Sequence, residues 1–372
     1  MSVRLADVAR MAVVTMKLFS RYMRREIFSA TSLVLLAFLC LFSFFDFLAE
    51  LEELGRGGYQ LKHALIFVVL SLPSRTYEIL PIAVLIGSLY ALTHFARNSE
   101  LTVIRASGVS TLRLLGALLK IGLVFAVLTF VIGEYVAPPL ERQAQKWRLR
   151  SSGANMPQEL RSGMWLRDGN FFVNVGRVQP DASLQNVRLY EFDADHRLIA
   201  LSIAAQGRYQ DEGGWLFSNV LQTRFLADQT QLVPLDTLRW ASALTPDMVS
   251  VVMVAPERMA IGSLYQYVRH LEGNKQKTGR YEVAYWKKLL YPFAALVMMA
   301  LALPFSLGNQ RSINLGARVL VGVMLGITFY LLNALFSNLG VINAWPALLS
   351  AAAPSALFFL LTAVLMWLGD RR

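Results

Sequence analysis

Apolar residues in this chain fall into long blocks rather than into the short periodic faces of a soluble fold. The first block, 27–49, is about 23 residues long, enough to cross a bilayer. It follows Lys17, Arg21, Arg24 and Arg25. A positive flank before an apolar run can mark a signal peptide, but this run is too long and no A-x-A site follows, so it reads as an uncleaved span. Residues 1–15 show no evident role, and Met16 reads as an alternative start. The second block, 62–96, is interrupted by Pro73 and Pro81, with Arg75 and Glu78 between them. Counting back from Arg97 at about 1.5 Å per residue predicts a span over 77–95. Residues 61–72 would then bend away at Pro73 and lie at the outer interface or against another helix. Further spans are predicted over 112–131, 289–307, 315–339 and 345–368. That makes six, three on each side of a polar middle.

The middle, 138–256, changes period. Residues 164–178 alternate loosely around an Asp168-Gly169-Asn170 turn. Strands over 187–192 and 198–209 flank Asp193-Ala194-Asp195-His196, and 215–226 follows Glu212-Gly213-Gly214. Short strands between polar turns predict a sandwich or jelly roll. Helical periodicity returns over 261–271 and leads back through Gly273-Asn274-Lys275.

Composition agrees. The 372 residues are 55% hydrophobic and 16% charged, against about 25% charged in soluble domains. This excludes an ordinary soluble enzyme and a disordered chain. The net charge of +11 matters through its placement. Arg4, Arg10, Lys17, Arg21, Arg24 and Arg25 precede the first span. Arg97, Arg105 and Arg113 follow the second, Arg311 and Arg318 the fourth, and Arg371 and Arg372 end the chain. The first outer loop carries Glu50, Glu52 and Glu53 instead. Basic loops stay in the cytoplasm, which predicts both termini inside and the β region outside.

Signals of catalysis are missing from the sequence. Cys40 is the one cysteine, and His63, His94, His196 and His270 are scattered. Neither a disulfide framework nor a metal spacing is present. Gly273-Asn274-Lys275-Gln276-Lys277-Thr278 has the wrong order for a phosphate-binding loop, so the chain is expected not to hydrolyse ATP itself. Nothing in it points to nucleic acid.

Three features point to interaction. Residues 98–110 form a link in which Ser99 can cap a short helix carrying Leu101, Val103 and Ile104, and Gly108 can end it. Its apolar residues need a partner surface, or else the link is an interfacial turn anchored by arginines. Gly322-Val323-Met324-Leu325-Gly326 permits close helix approach, within this chain or between subunits. After Pro138-Pro139, which can start a helix, Arg142, Lys146 and Arg150 recur on one face, with Arg148 pointing elsewhere. Such a stripe is either a solvated face or a site for anionic lipid. Asp46, Arg75, Glu78 and Glu134 lie near outer span ends, where they can reach water or act at membrane depth.

Several strings together resemble the LptF/LptG permease family, its LptG branch most. They are Ser99-Glu100-Leu101 with Arg105-Ala106-Ser107-Gly108; Gly133-Glu134-Tyr135-Val136-Ala137-Pro138; Leu166-Arg167-Asp168-Gly169-Asn170-Phe171-Phe172-Val173; and Gly279-Arg280-Tyr281. The resemblance runs from about residue 16 to the end.

It implies a membrane α-helical fold of six transmembrane helices, three plus three, with an inserted periplasmic β-jellyroll. Residues 1–26 would be a cytoplasmic N-terminus, and 27–137 the first three spans with a coupling helix at 98–110. Residues 138–260 would form the jellyroll, and 261–372 a connector helix and the last three spans. The implied function is a permease subunit that extracts lipopolysaccharide from the bacterial inner membrane for delivery toward the outer membrane. The implied partners are an LptF-type permease, an LptB-type ATPase dimer holding ATP and Mg, and the periplasmic LptC and LptA. Ser99, Glu100, Leu101, Ile104, Arg105 and Gly108 would couple to the ATPase. Relatives can carry lysines at the outer end of the first span, where lipid phosphates pass. Here that place reads Asp46, Glu50, Glu52 and Glu53, so Arg142, Lys146 and Arg150 become the candidate phosphate contacts. Gly322 and Gly326 would serve helix packing. Two other readings stay open: a mechanotransmission permease without a lipid cavity, and a membrane-anchored binding scaffold.

Overall fold

A computed structural model describes residues 2–55, 58–107, 109–151, 163–179, 183–210, 214–226, 228–242, 245–246, 249, 255–307 and 315–370, with backbone alone at 2–19, 149–151 and 369–370. In chain order, α1 is Ser2–Leu51, α2 Leu61–Arg97, α3 Glu100–Ala106 and α4 Thr111–Val131. A π-helical turn, Ile132–Val136, joins α4 to α5, Ala137–Ser151. The strands are β1 Met164–Asp168, β2 Phe171–Val178, β3 Leu184–Phe192, β4 Leu198–Gln210, β5 Gly214–Phe225 and β6 Thr230–Trp240. Then come α6 Ile261–Gly273, α7 Gly279–Leu307, α8 Leu315–Ile342 and α9 Ala347–Asp370. Among the described residues six helices are long and apolar enough to cross a membrane. The chain forms two compact units. One is Met1–Phe44, Leu72–Ala137 and Glu282–Arg372; the other is Phe45–Ser71 and Pro138–Tyr281.

In the helical unit, α2 lies at the centre. Leu80, Val84, Leu85, Leu89, Leu92 and Phe95 share one buried cluster with Leu118 and Phe125 of α4 and Met298, Met299 and Leu303 of α7. Ser88 Oγ donates to Met299 Sδ across that cluster at 3.0 Å. Small residues set the approach of its neighbours. A Cβ on Gly87 would lie 2.6 Å from the Thr31 backbone of α1, so at this crossing only glycine fits. The stretch before Pro73 belongs to the same helix as the predicted span: α2 runs unbroken through both prolines for 37 residues. In lipid a freed backbone group finds no water, so a proline kinks a span more readily than it ends one. Thr76 Oγ donates to Leu72 O at 2.9 Å in this stretch.

Nor do Pro138 and Pro139 start a new helix. They lie inside a continuous run from α4 to α5. Neither can donate to the carbonyl four residues back, and each ring crowds it. The wide π turn takes up this clash, with the Ala137 N–H bonded to Ile132 O. Gly133 lies on the same turn because the Tyr77 ring occupies the place of a Cβ, 2.5 Å away.

The second unit holds one antiparallel sheet in the order β1-β2-β3-β4-β5-β6. Every described connection is sequential, where a jelly roll would cross. The sheet nevertheless makes two leaves. Five strands lose one ladder pair on a single line: Gly176 with Asn186, Asn186 with Ala205, Ala205 with Asn219, and Asn219 with Asp236 are skipped while register on both sides is unchanged. Asn186 and Asn219 take left-handed φ there, 52° and 53°. A Cβ on Gly176 would lie 2.9 Å from Asn186 Cβ. Across this crease the inward phase shifts by one residue, from Val175 to Val178, from Val187 to Leu184, from Ala204 to Gly207 and from Val220 to Phe217. Met164, Val173, Val187 and Val220 from one leaf join Val178, Leu184, Trp215 and Phe217 from the other in a single core. The Asp193 turn holds as expected: its Oδ1 accepts from Asp195 N at 2.9 Å and Arg197 N at 2.8 Å. Of the turn expected at Glu212-Gly213-Gly214, residues 212 and 213 lie outside the described residues and Gly214 opens β5. Strand β6 was not anticipated, since Pro234 interrupts a strand that is mostly exposed.

Candidate functional site

The link between α2 and α4 contains the short helix α3. Glu100 opens it, where a carboxylate meets the free N–H groups, and Arg105 lies in its last turn. Ser99 does not cap it: its φ is 60° and its side chain makes no cap bond. The left-handed turn aims the hydroxyl away from the first amides, and Ser110 caps α4 instead, accepting from Arg113 N at 3.4 Å. Leu101 is 1% exposed within the core around α2. Ile104 packs against that core. Their partner surface is therefore this chain's own interior. Val103, 66% exposed, is the apolar group that faces outward, beside exposed Thr102 and Arg105. Gly108 lies outside the described residues. Anchored by Leu101, α3 presents Glu100, Val103 and Arg105 to anything that docks on the link.

On α5 the stripe is only partly free. Arg142 donates to Ser263 Oγ of α6 at 2.9 Å, while Lys146 is exposed. The Arg150 side chain lies outside the described residues. Beside the stripe, Glu141 is fully buried and bonds Arg258 Nη1 at 2.8 Å. Arg148 points away from the stripe, as its spacing predicts, and the face it lies on is occupied. It lies 3.5 Å from Glu50 and 4.0 Å from Glu53, and 5.4 Å over the Phe67 ring. Tyr59 Oη also donates to Glu50, at 2.8 Å. Burial first, and then the Glu50 carboxylate, push the Tyr59 hydroxyl well above its ordinary pKa. Glu50, read from sequence as an outer-loop charge, is 4% exposed. The acidic loop is thus the seat of α5.

Gly322 and Gly326 lie on the buried stripe of α8 with Arg318, Phe329 and Asn333. A Cβ on Gly322 would stand 2.7 Å from Leu89 Cδ1, and one on Gly326 2.5 Å from Ile82 Cγ2. Both neighbours belong to α2, so the close approach is made within the chain. Of the other charges, Arg75 and Glu78 pair at 3.0 Å on one helix face. Lys288 was missed. It is 5% exposed, with Nζ 5.9 Å from the Tyr77 ring centre.

Six apolar helices, with an antiparallel β unit inserted after the third, define a multi-pass membrane protein. Residues 21–368 match the model of the family described as "Lipopolysaccharide export system permease LptF/LptG". The chain is 32% identical over 353 residues to the Lipopolysaccharide export system permease protein LptG of Haemophilus influenzae, covering 95% of this chain and 98% of that one. It is 32% identical over 355 residues to the protein of the same name from Escherichia coli strain K12, with the same coverage. The chain belongs to the LptF/LptG family of lipopolysaccharide export permeases.

Proposed function

We propose that the chain acts as the LptG-type half of a permease pair in the bacterial inner membrane, driven by a separate LptB-type ATPase dimer. It faces both termini to the cytoplasm and the β unit to the periplasm, where LptC and LptA receive the lipid. It carries no cofactor of its own; ATP and Mg are held by the ATPase. Closure of that dimer pushes on α3 through Glu100, Val103 and Arg105. Because α3 is joined to α2 and α4 at its two ends, the push reaches both spans. They compress a cavity shared with the partner permease.

The observation that carries this reading is the apolar surface of α1 and α8. Leu33, Leu36, Leu41 and Phe44 on α1, and Leu320, Met324, Ile327 and Leu331 on α8, are all exposed. The most apolar window of α1 has none of its residues buried. Such faces require lipid, a partner helix or acyl chains. In this reading acyl chains lie on them, and the lipid phosphates meet Arg142, Lys146 and Arg150. Purification from the native membrane with mass spectrometry of bound proteins and lipids is the test. A second permease, an ATPase and lipopolysaccharide are expected together. A preparation with full lipid export that contains no ATPase would overturn the reading.

A further inference from the structure

Three consecutive residues of the β1–β2 turn each hold a different element. Asp168 accepts a hydrogen bond from Ser242 Oγ, just past the end of β6. Gly169 N donates to Asn274 Oδ1, at the end of α6, at 2.7 Å. Asn170 O accepts from Phe192 N, the last residue of β3, at 3.1 Å. Glycine suits the centre of the turn, where φ is 58°, and this conformation turns the amide toward α6.

The other side of the contact is equally fixed. Asn274 follows the last turn of α6, and Lys275 takes a φ of 52°. Gln276 N bonds back to Leu271 O at 2.9 Å, which closes the helix end. Asn274 Nδ2 donates to His270 O at 3.0 Å. Its amide is therefore held with Oδ1 aimed outward. Five residues later α7 begins, and Tyr281 in its first turn has its ring centre 4.6 Å from that of Tyr267 of α6. Burial raises the Tyr267 hydroxyl pKa, and its hydroxyl is a hydrogen-bonding partner of Tyr281.

We infer that Asp168-Gly169-Asn170 is a three-way junction that hands the orientation of the sheet to the start of the fourth span, with Asn274 as the positioning residue. The junction goes beyond the proposed ATPase-driven cycle and does not depend on which chain hydrolyses ATP. It joins two motifs that neither α3 nor α5 uses, Leu166–Val173 and Gly279-Arg280-Tyr281. One hydrogen bond between neutral groups holds the contact, so its loss should raise local opening about five-fold.

The experiment uses the full-length chain purified with its co-purifying partners in lipid nanodiscs. Hydrogen–deuterium exchange is read over 165–175 and 265–282, and lipopolysaccharide export is read in cells. Asn274→Ala is expected to speed exchange in both segments and to lower export several-fold at normal protein level. Asn274→Asp retains Oδ1 as acceptor but loses the Nδ2 bond to His270 O that aims it, so it should restore both in part. Ser242→Ala, which removes the hydroxyl bonded to Asp168, should loosen 165–175 without loosening 265–282. Faster exchange with undiminished export in Asn274→Ala would reduce the junction to a fold contact and overturn the inference. Unchanged exchange in that variant would overturn the geometry. If Asn274→Ala does not accumulate, Ser242→Ala decides: loosening of both segments would overturn the separate links. Co-purification without the ATPase would count against the proposed cycle and leave these readouts interpretable.

Discussion

The Arg148 guanidinium stands 3.5 Å from the carboxylate of Glu50, a residue nine positions before Tyr59 that the chain otherwise buries. Arg148→Glu would place a third carboxylate against Glu50 and Glu53. A half-exposed arginine on a buried carboxylate is worth about 1–2 kcal/mol, and repulsion adds to the loss. We expect a lower melting temperature of the purified permease and reduced export. The combined Arg142→Glu/Lys146→Glu/Arg150→Glu change also breaks the Arg142 bond to Ser263, so it should lower melting too, but its distinguishing effect should be loss of photo-crosslinking to lipopolysaccharide. Gln143→Glu, on an exposed position of the same helix, is the control. If it matches the triple change, the stripe has no special place in lipid contact.

On α3 the two apolar residues separate folding from docking. Leu101→Asp buries a charge in the core around α2 and should cost several kcal/mol, seen as loss of folded protein. Val103→Asp changes an exposed position, and Glu100→Ala removes an opening carboxylate. Both should leave the protein level normal and reduce recovery of the ATPase in a pull-down. Full recovery with both variants would make the link a turn at the membrane surface.

Gly322→Leu and Gly326→Leu drive side chains into Leu89 and Ile82. Overpacking of this kind costs about 1–3 kcal/mol. Because the contact lies within the chain, the melting temperature should fall even for the permease purified without a partner. Normal melting with loss of the partner subunit would reassign the glycines to an interface between chains.

Topology is testable with thiol reagents once exposed Cys40 is replaced by serine. A cysteine at Asp193 should react from the periplasm, and one at Ser107 should not. The opposite pattern would invert the proposed orientation.

The spans were legible because apolar length alone specifies a crossing helix, and the β unit was legible from its turns. The prolines of α2 marked where the predicted crossing begins, but lipid removes the alternative partner for a freed backbone group, so the helix continues through both. Leu101 and Val103 look alike in sequence; only the fold shows that one is anchored and the other free. The partners of Arg148 were not legible because helical spacing describes the face of α5 and says nothing of the acidic loop packed against it. The pairing of Gly169 with Asn274 spans 105 positions, and no local pattern encodes it.

The crease across the sheet ties the lengths of its strands together. Register is unchanged on both sides because all five strands skip at the same line. A deletion confined to Asn186 would straighten β3 while β2 and β4 still fold there. Half of β3 would then turn its apolar side outward, and the ladder with both neighbours would lose its match. An insertion in one strand fails for the same reason. Viable descendants of this chain must therefore keep the residue count between the crease and each turn, even where the residues themselves are free to change. Length, more than identity, is what inheritance has to conserve in the β unit.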